Sequence, residues 1–331
     1  MLQRFQSPLP PRRLAVAPMM NRTDRHFRYL MRLITRHTWL YSEMVVGRAL
    51  VHGDPGRLLR HAPDEGPAAL QVGGSEPDVL AVAARLAEEH GYNEINLNIG
   101  CPSPRVTAGR MGACLMAEPG RVAECVAAMR DATRIPVTVK TRLGIDRQDS
   151  FDFLVRFTEA VARVGCGTLI VHARKAWLEG LDPKANRNVP VLDYERVRRL
   201  KQAYPELEIL VNGGIADLDE AEAACAGLDG AMLGRSAYAR PMLFAEADAR
   251  FFGDPRPGPA VGDVVARYLE YLREIVAAGD KLGPALRHLP GVISGIPGSR
   301  AMRSRLGALA GTRDVAAAAE ALAPLLARRA A

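Results

Sequence analysis

The chain has 331 residues and no stretch approaching ~20 uninterrupted apolar residues, so nothing in it reads as a membrane-spanning helix. Its N-terminus lacks the apolar run of a secretory signal, and a cytoplasmic protein with no membrane partner is the expectation. Cysteine is scarce. The five present (Cys101, Cys114, Cys125, Cys166 and Cys225) are scattered, odd in number and without CxxC spacing. That pattern argues against a disulfide framework and against structural zinc, and no metal site is expected. Acid is missing from one long segment. Between Asp280 and Asp314 there is no Asp or Glu, while Arg287, Arg300, Arg303, Arg305 and Arg313 all occur.

The formal net charge is +7, and residues 260–331, with ten Lys+Arg against six Asp+Glu, hold +4 of it. A second basic run, Arg22, Arg25, Arg28, Arg32 and Arg36, is opposed locally only by Asp24. Either run alone reads equally well as a solvated face. Together they point to a polyanionic partner, with the run from Arg22 to Arg36 expected to track phosphates.

Hydrophobic content of 48% and charged content of 24% are ordinary for a globular enzyme, and the length allows one large core. Short apolar and β-branched runs at 13–17, 39–43, 68–72, 94–98, 137–141, 168–172, 208–212 and 230–233 predict strands. Amphipathic helical patterns at 77–90, 120–133, 151–164 and 194–204 lie between them, with Pro77 and Pro119 placed for a first helical turn. Eight buried strands alternating with helices predict an α/β protein, a (β/α)8 TIM barrel, better than an open sheet. A helical pattern without strand signals follows from Asp263 onward. The expected division is a barrel over 1–252 and a small all-helical domain over 253–331.

In such barrels chemistry gathers where the strands end. Here the ends carry Gln71, Asn98, Cys101, Lys140, His172, Asn212 and Arg235, more polar groups than a structural rim needs. Asn212-Gly213-Gly214 and Gly234-Arg235 follow the seventh and eighth strands, the usual phosphate position of this fold. Glycine lets backbone N–H groups approach a phosphate closely, a helix N-terminus adds a favourable dipole, and Arg235 adds a charge-assisted contact. A lysine ending a buried strand calls for an anionic ligand, which Lys140 would meet at the mouth. His172 suits ligand contact there, and Gln71, with donors and an acceptor, suits the edge of a heterocycle. Cys101 stands in Asn98-Ile99-Gly100-Cys101-Pro102 after the fourth strand, on the floor of this mouth.

At these residues the sequence resembles the tRNA-dihydrouridine synthases. The resemblance rests on Ala17-Pro18-Met19, Asn21-Arg22-Thr23-Asp24, the segment 94–102, Arg110-Met111-Gly112-Ala113-Cys114-Leu115-Met116 and Val211-Asn212-Gly213-Gly214-Ile215. His172-Ala173-Arg174-Lys175-Ala176-Trp177-Leu178 resembles the branch acting on D-loop uridines 20 and 20a. The match is looser around 295–305. The resemblance implies an FMN barrel reduced by NADPH and a tRNA substrate. Ala17, Pro18 and Met19 would lie against the flavin ring, with Gln71 and Lys140 along its polar edge and His172 beside it. Asn212, Gly213, Gly214, Gly234 and Arg235 would hold the phosphate. Cys101 would donate the proton to C5 of uridine as hydride reaches C6 from the flavin, and Asn98 would help place the uracil. Lys184, Arg187, Arg300 and Arg303 match positions that contact tRNA. An ordinary thiol, with a pKa near about 8.5, carries its proton at neutral pH and can act as that acid. Cys114 is then the more structural of the two neighbouring cysteines. The target base must leave the tRNA stack to reach a barrel mouth. Other readings are a flavin barrel reducing a small free pyrimidine, a tRNA-binding module without catalysis, and a phosphate-binding barrel without flavin. Nothing in the sequence sets an oligomeric state, and a monomer is the expectation.

Overall fold

The computed structural model describes residues 9–326. Eight strands form the barrel: β1 (Leu14–Val16), β2 (Trp39–Tyr41), β3 (Ala68–Gly73), β4 (Glu94–Asn98), β5 (Val137–Arg142), β6 (Thr168–His172), β7 (Glu208–Asn212) and β8 (Gly230–Leu233). All pairings between them are parallel. Neighbours run β2-β1-β8-β7-β6-β5-β4-β3, and the ring closes through Leu40↔Ala68 and Tyr41↔Ala69 between β2 and β3. A two-residue strand, Val45–Val46, extends alongside the end of β3. The sequence placed all eight barrel strands, four with the same ends and four with ends differing by one or two residues.

The principal helices of the barrel are α1 (Arg25–Ile34), α2 (Pro77–Glu89), α3 (Pro119–Ala132), α4 (Phe151–Arg163) and α5 (Tyr194–Ala203). Their starts follow local chemistry. Pro77 and Pro119 stand in the first turns of α2 and α3, where a missing N–H removes no helical bond. Ser150 and Asp193 cap α4 and α5 with side-chain oxygens. No long helix follows β2, whose place is taken by the short turns Gly47–His52 and Pro55–Leu58. Outward strand residues such as Leu70, Ile95, Leu97, Val139, Leu169 and Val211 pack against these helices. A separate apolar cluster, including Ala15, Trp39, Tyr41, Ile170, Leu210 and Met232, fills one side of the barrel interior.

After the barrel come α6 (Val261–Ala277), α7 (Ser299–Ala308) and α8 (Val315–Leu326), joined by the short turns Gly283–Leu286 and Leu289–Val292. The end of the helical pattern beyond 326 lies outside the described residues. These helices share one hydrophobic cluster with the outer barrel. Tyr29 of α1 stacks on Tyr271 of α6 with ring centres 4.0 Å apart, and His26 Nδ1 lies 2.7 Å from the Tyr271 hydroxyl. Asp24 joins the two parts. It caps α1 by accepting from the His26 and Phe27 N–H groups at 3.0 Å, and it also faces His288 Nε2 at 2.9 Å and Arg287. Burial would raise the Asp24 carboxyl, but the hydrogen bond and charge of His288 outweigh it and hold the group well below the usual carboxylate range. Among the described residues no helix is long and apolar enough to cross a membrane.

The basic run from Arg22 to Arg36 is not a phosphate-tracking surface. Arg28 is buried against Glu65 at 2.7 Å, and Arg25 pairs with Asp280 at 2.5 Å. Arg32 donates to the carbonyls of Glu65, Thr35 and Thr38, while Arg36 meets Asp254 at 3.0 Å. Only Arg22 of the five is exposed, lying over the Tyr238 ring at 4.4 Å. The acidic partners lie 37 to 255 residues away along the chain, so a local count of charge misses them.

Replacing Asp24 separates its two roles. Asp24→Ala should lower stability to urea by more than Asp24→Asn, because asparagine keeps a cap contributing about 1 kcal/mol. Equal losses would discount the cap. The carboxyl is held low in the folded state, so its stabilisation is full above the ordinary aspartate value of about 4 and is lost as the pH falls through the folded one. The deficit of Asp24→Ala against wild type should therefore shrink between pH 6 and pH 3.

Candidate active site

Cys101 sits just beyond β4 on a loop fixed from both sides. Asn98 Oδ1 accepts from the backbone N–H groups of Gly100 and Cys101, each at 3.0 Å, folding the loop over its own strand end. The Cys101 carbonyl accepts from Ala113 N–H at 2.9 Å. Gly112 makes that approach possible: its φ is +73° and a Cβ there would lie 2.4 Å from the Cys101 oxygen. Arg142, at the end of β5, donates from Nε to the Gly100 carbonyl at 3.0 Å and from Nη1 to the Lys175 and Asn186 carbonyls at 3.1 and 2.9 Å. One guanidinium thus ties the thiol loop to the loop after β6. The Cys114 thiol donates to the Met111 carbonyl at 3.2 Å, a structural use, and burial pushes that thiol up.

Register brings the predicted mouth residues together. Gln71, Asn96 and Thr138 are directly paired across β3, β4 and β5, and Asn98 is paired with Lys140 one step higher. Arg142, His172 and Asn212 form the next row. Gln71 Oε1 accepts from Asn98 Nδ2 at 2.8 Å, so both amides belong to one network. Lys140 Nζ donates to Asn212 Oδ1 at 3.0 Å, and Asn212 Nδ2 donates to the Met232 carbonyl at 2.7 Å. Lys140 has no acidic partner there. Burial, and then the Arg142 guanidinium, push it down to about 7, while Cys101 acts in the opposite sense. Burial and the cations Arg142, Lys140, Arg174 and Arg235 drive His172 well below the usual imidazole value, so its ring is neutral.

Around the ends of β1, β7 and β8 the backbone opens a cradle. Gly213 has φ +114° with the His172 ring against its α-carbon, and Gly214 has φ +76° with Leu192 beside it. A Cβ at Gly234 would meet nothing closer than Ala17 Cβ at 3.6 Å and Met19 Sδ at 3.8 Å, so the space above Ala17-Pro18-Met19 is open. Arg235 is exposed and donates to Asn188 Oδ1 at 2.9 Å. The helix it begins, Arg235–Ala239, has only five residues, so the anion-binding capacity rests on N–H groups and charge more than on a helix dipole.

Lys184 and Arg187 are exposed on the loop after β6, and Arg187 feels the charges of Arg235, Cys101 and Arg22 across the mouth. That loop is shaped by Asn186, which is buried and bonds both the N–H and the carbonyl of Trp177. Arg300 and Arg303 stand apart from this cluster, exposed on α7, whose opposite face buries Met302 and Leu306. The sequence reading did not single out Arg142 or Arg174 as site residues. Both were visible only as charged residues closing buried strands, the signal that did mark Lys140.

The family model for dihydrouridine synthases matches residues 15–326. The chain belongs to the dihydrouridine synthase family. It is 49% identical over 293 residues to a tRNA-dihydrouridine(20/20a) synthase of Synechocystis sp., covering 88% of each chain. It is 50% identical over 295 residues to one from Shewanella oneidensis, covering 89% of this chain and 88% of that one. A third, from Pseudomonas putida, is 49% identical over 316 residues, 96% of this chain and 93% of that one.

In this dihydrouridine synthase, unused polar capacity collects on one side of the mouth. His172 Nδ1 and Arg174 Nε are buried without a hydrogen-bond partner among the described residues. Orphaned groups beside the glycine turn after β7, with a lysine that has no acidic partner among the described residues, fit a polar, negatively charged ligand. Lys140 makes the ligand-free state pH-sensitive. Its folded pKa, about 7, lies below the ordinary lysine value, so between the two only the unfolded chain holds the proton. Stability of the ligand-free protein to urea should rise with pH from about 7 towards about 10.4, and Lys140→Met should lack that component. A matching slope in both proteins would remove Lys140 from the explanation.

Proposed function

We propose that this protein reduces the C5=C6 bond of uridine in tRNA to 5,6-dihydrouridine, with FMN as cofactor, NADPH as reductant and Cys101 as proton donor. The observation carrying the reading is the thiol loop held at a barrel mouth that also gathers Lys140, Arg142, the glycines after β7 and β8 and the orphaned groups of His172 and Arg174. The names of the relatives, tRNA-dihydrouridine(20/20a) synthases, support uridines 20 and 20a as the targets. A tRNA substrate suits a cytoplasmic enzyme, with residues 1–252 as the flavin barrel and 253–331 as a helical unit gripping tRNA.

Gly213, Gly214 and Gly234 would offer backbone N–H groups to the FMN phosphate, and Asn212 and Arg235 would add polar contacts to it. Ala17, Pro18 and Met19 give an apolar bed for the ring, with Gln71, Lys140 and His172 along its polar side. When bound and reduced by NADPH, the flavin supplies hydride to C6 of the uracil. Asn98 offers an amide N–H to the base while its oxygen holds the Cys101 backbone in place. The Cys101 thiol gives its proton to C5. The thiolate left behind is stabilised by Lys140, Arg142 and Arg187, each of which is favoured by negative charge on Cys101. Its partial exposure allows solvent to restore the proton.

Purified protein should be yellow. Cys101→Ala should keep its flavin and the reduction of that flavin by NADPH, while dihydrouridine formation falls about a hundredfold to ten-thousandfold. Wild-type turnover in that variant would end the proton-donor assignment, and a colourless protein that takes up no added FMN would end the flavin one.

The tRNA surface is tested separately. Arg300→Glu with Arg303→Glu should weaken tRNA binding and flatten its dependence on salt, with flavin content unchanged. Unaltered affinity and salt slope would remove α7 from the interface.

A further inference from the structure

Below the mouth, the barrel interior holds a column of polar side chains that touches nothing in the solvent. Glu94, Asn96, Thr138 and Gln71 are all at most 1% exposed. At its base, Arg12 donates to Glu94 Oε2 at 2.6 Å and to Glu208 Oε2 at 2.7 Å, with its guanidinium over the Trp39 ring at 4.4 Å. The other Glu94 oxygen accepts from Tyr41 Oη at 2.7 Å and from Thr138 Oγ1 at 2.5 Å. From Thr138 the bonds rise to Asn96, Gln71, Asn98 and the Cys101 loop, each donor and acceptor within 3.0 Å.

We propose that Glu94, Thr138 and Asn96 are positioning residues that set which atoms Gln71 and Asn98 turn toward the mouth. The reasoning is directional. A carboxylate only accepts, so the single Thr138 hydroxyl proton is committed downward to Glu94. The Thr138 oxygen must then accept from above, and Asn96 turns its Nδ2 to it at 2.8 Å. That leaves Asn96 Oδ1 facing upward, where it takes Gln71 Nε2 at 2.8 Å. Gln71 Oε1 in turn receives Asn98 Nδ2 at 2.8 Å, and Asn98 Oδ1 is left for the Cys101 N–H at 3.0 Å. Reversing any one amide sets donor against donor on one side and acceptor against acceptor on the other. One buried carboxylate therefore orients three amides from below, in the same sense that the Gly100 and Cys101 N–H groups set from above.

The consequence lies at the site. Each amide nitrogen carries two hydrogens, and the column uses one of each. The second hydrogens of Gln71 Nε2 and Asn98 Nδ2 remain for ligands. On the proposed function, from which this inference takes the identity of the ligands, Gln71 meets the flavin edge and Asn98 the uracil. Loss of direction at Thr138 would blur both contacts and the seat of Cys101 together. Thr138 itself touches neither ligand.

The test uses the full-length protein loaded with FMN. Thr138→Val keeps the shape but removes both bonds, whereas Thr138→Ser keeps the hydroxyl. Thr138→Val is expected to shift the visible absorption bands and the midpoint potential of the bound flavin and to weaken FMN binding. It should also lower kcat by about tenfold to a hundredfold with KM for tRNA unchanged. Thr138→Ser should restore wild-type behaviour. Tyr41→Phe removes an equally buried bond to Glu94 without touching the direction of the column, and its flavin spectrum should match wild type. Should Thr138→Val fail to fold, Glu94→Gln reads the same point, since a carboxamide no longer compels the Thr138 proton downward. A folded Thr138→Val or Glu94→Gln protein with wild-type spectrum, potential and kcat would overturn the proposal. So would an equal spectral change in Tyr41→Phe, which would mark a general packing effect. A wild-type protein that binds no FMN would instead strike the proposed function itself.

Discussion

A carboxylate with no exposed surface, Glu94, is the constraint around which the barrel interior is arranged. Removing such a group from water costs several kcal/mol unless every lone pair is satisfied. Here Arg12, Tyr41 and Thr138 all donate to it, drawing on the segment before β1 and on two other strands. Arg12 reaches Glu208 on β7 as well, so the base of the barrel is tied across its width. The interior divides accordingly. One side is the apolar cluster around Trp39, Ile170 and Met232, and the other is the polar column ending at Cys101.

Much of this was legible in the sequence because strand periodicity survives burial. Glu94, Asn96 and Asn98 alternate with Ile95 and Leu97, and the alternation marks β4 correctly. Such a pattern ordinarily implies one face toward solvent. In this barrel the polar face turns inward, and only the register with Gln71 and Thr138 on adjacent strands shows why. Strand ends were legible for the same reason: Lys140 and His172 close runs of apolar residues, where a charged or titratable group has no structural purpose. The Asn212-Gly213-Gly214 turn could be read because its position after the seventh strand gives the glycines a meaning that a Gly-Gly pair alone lacks.

Charge was read less well. Arg25, Arg28, Arg32 and Arg36 look like one basic face when counted along the chain. In space their partners come from Asp280, Glu65, Asp254 and several backbone carbonyls. A long cation whose neighbours in sequence are apolar can be a buried tie as easily as a docking site, and spacing does not separate the two. The arginines of α7 differ, since Met302 and Leu306 fix the buried face of the helix and leave Arg300 and Arg303 outside. Arg142 was missed for the converse reason. It follows Lys140 by two residues on the same strand face, but its acceptors are three backbone carbonyls on two loops, and carbonyls leave no mark in a sequence.

The cations at the mouth also bear on why the proposed acid is a thiol. Lys140, Arg142 and Arg187 all lie in electrostatic range of position 101. An ordinary carboxyl group is ionised at neutral pH and has no proton to give, whereas an ordinary thiol, about four units higher, still carries one. The same positive groups then favour the anion once the proton has gone. They also favour the phosphate and the electron-rich ring that the mouth is proposed to bind. Lys140 and Arg142, which have no acidic partner among the described residues, and the exposed Arg187 are thus proposed to serve ligand binding and proton transfer alike.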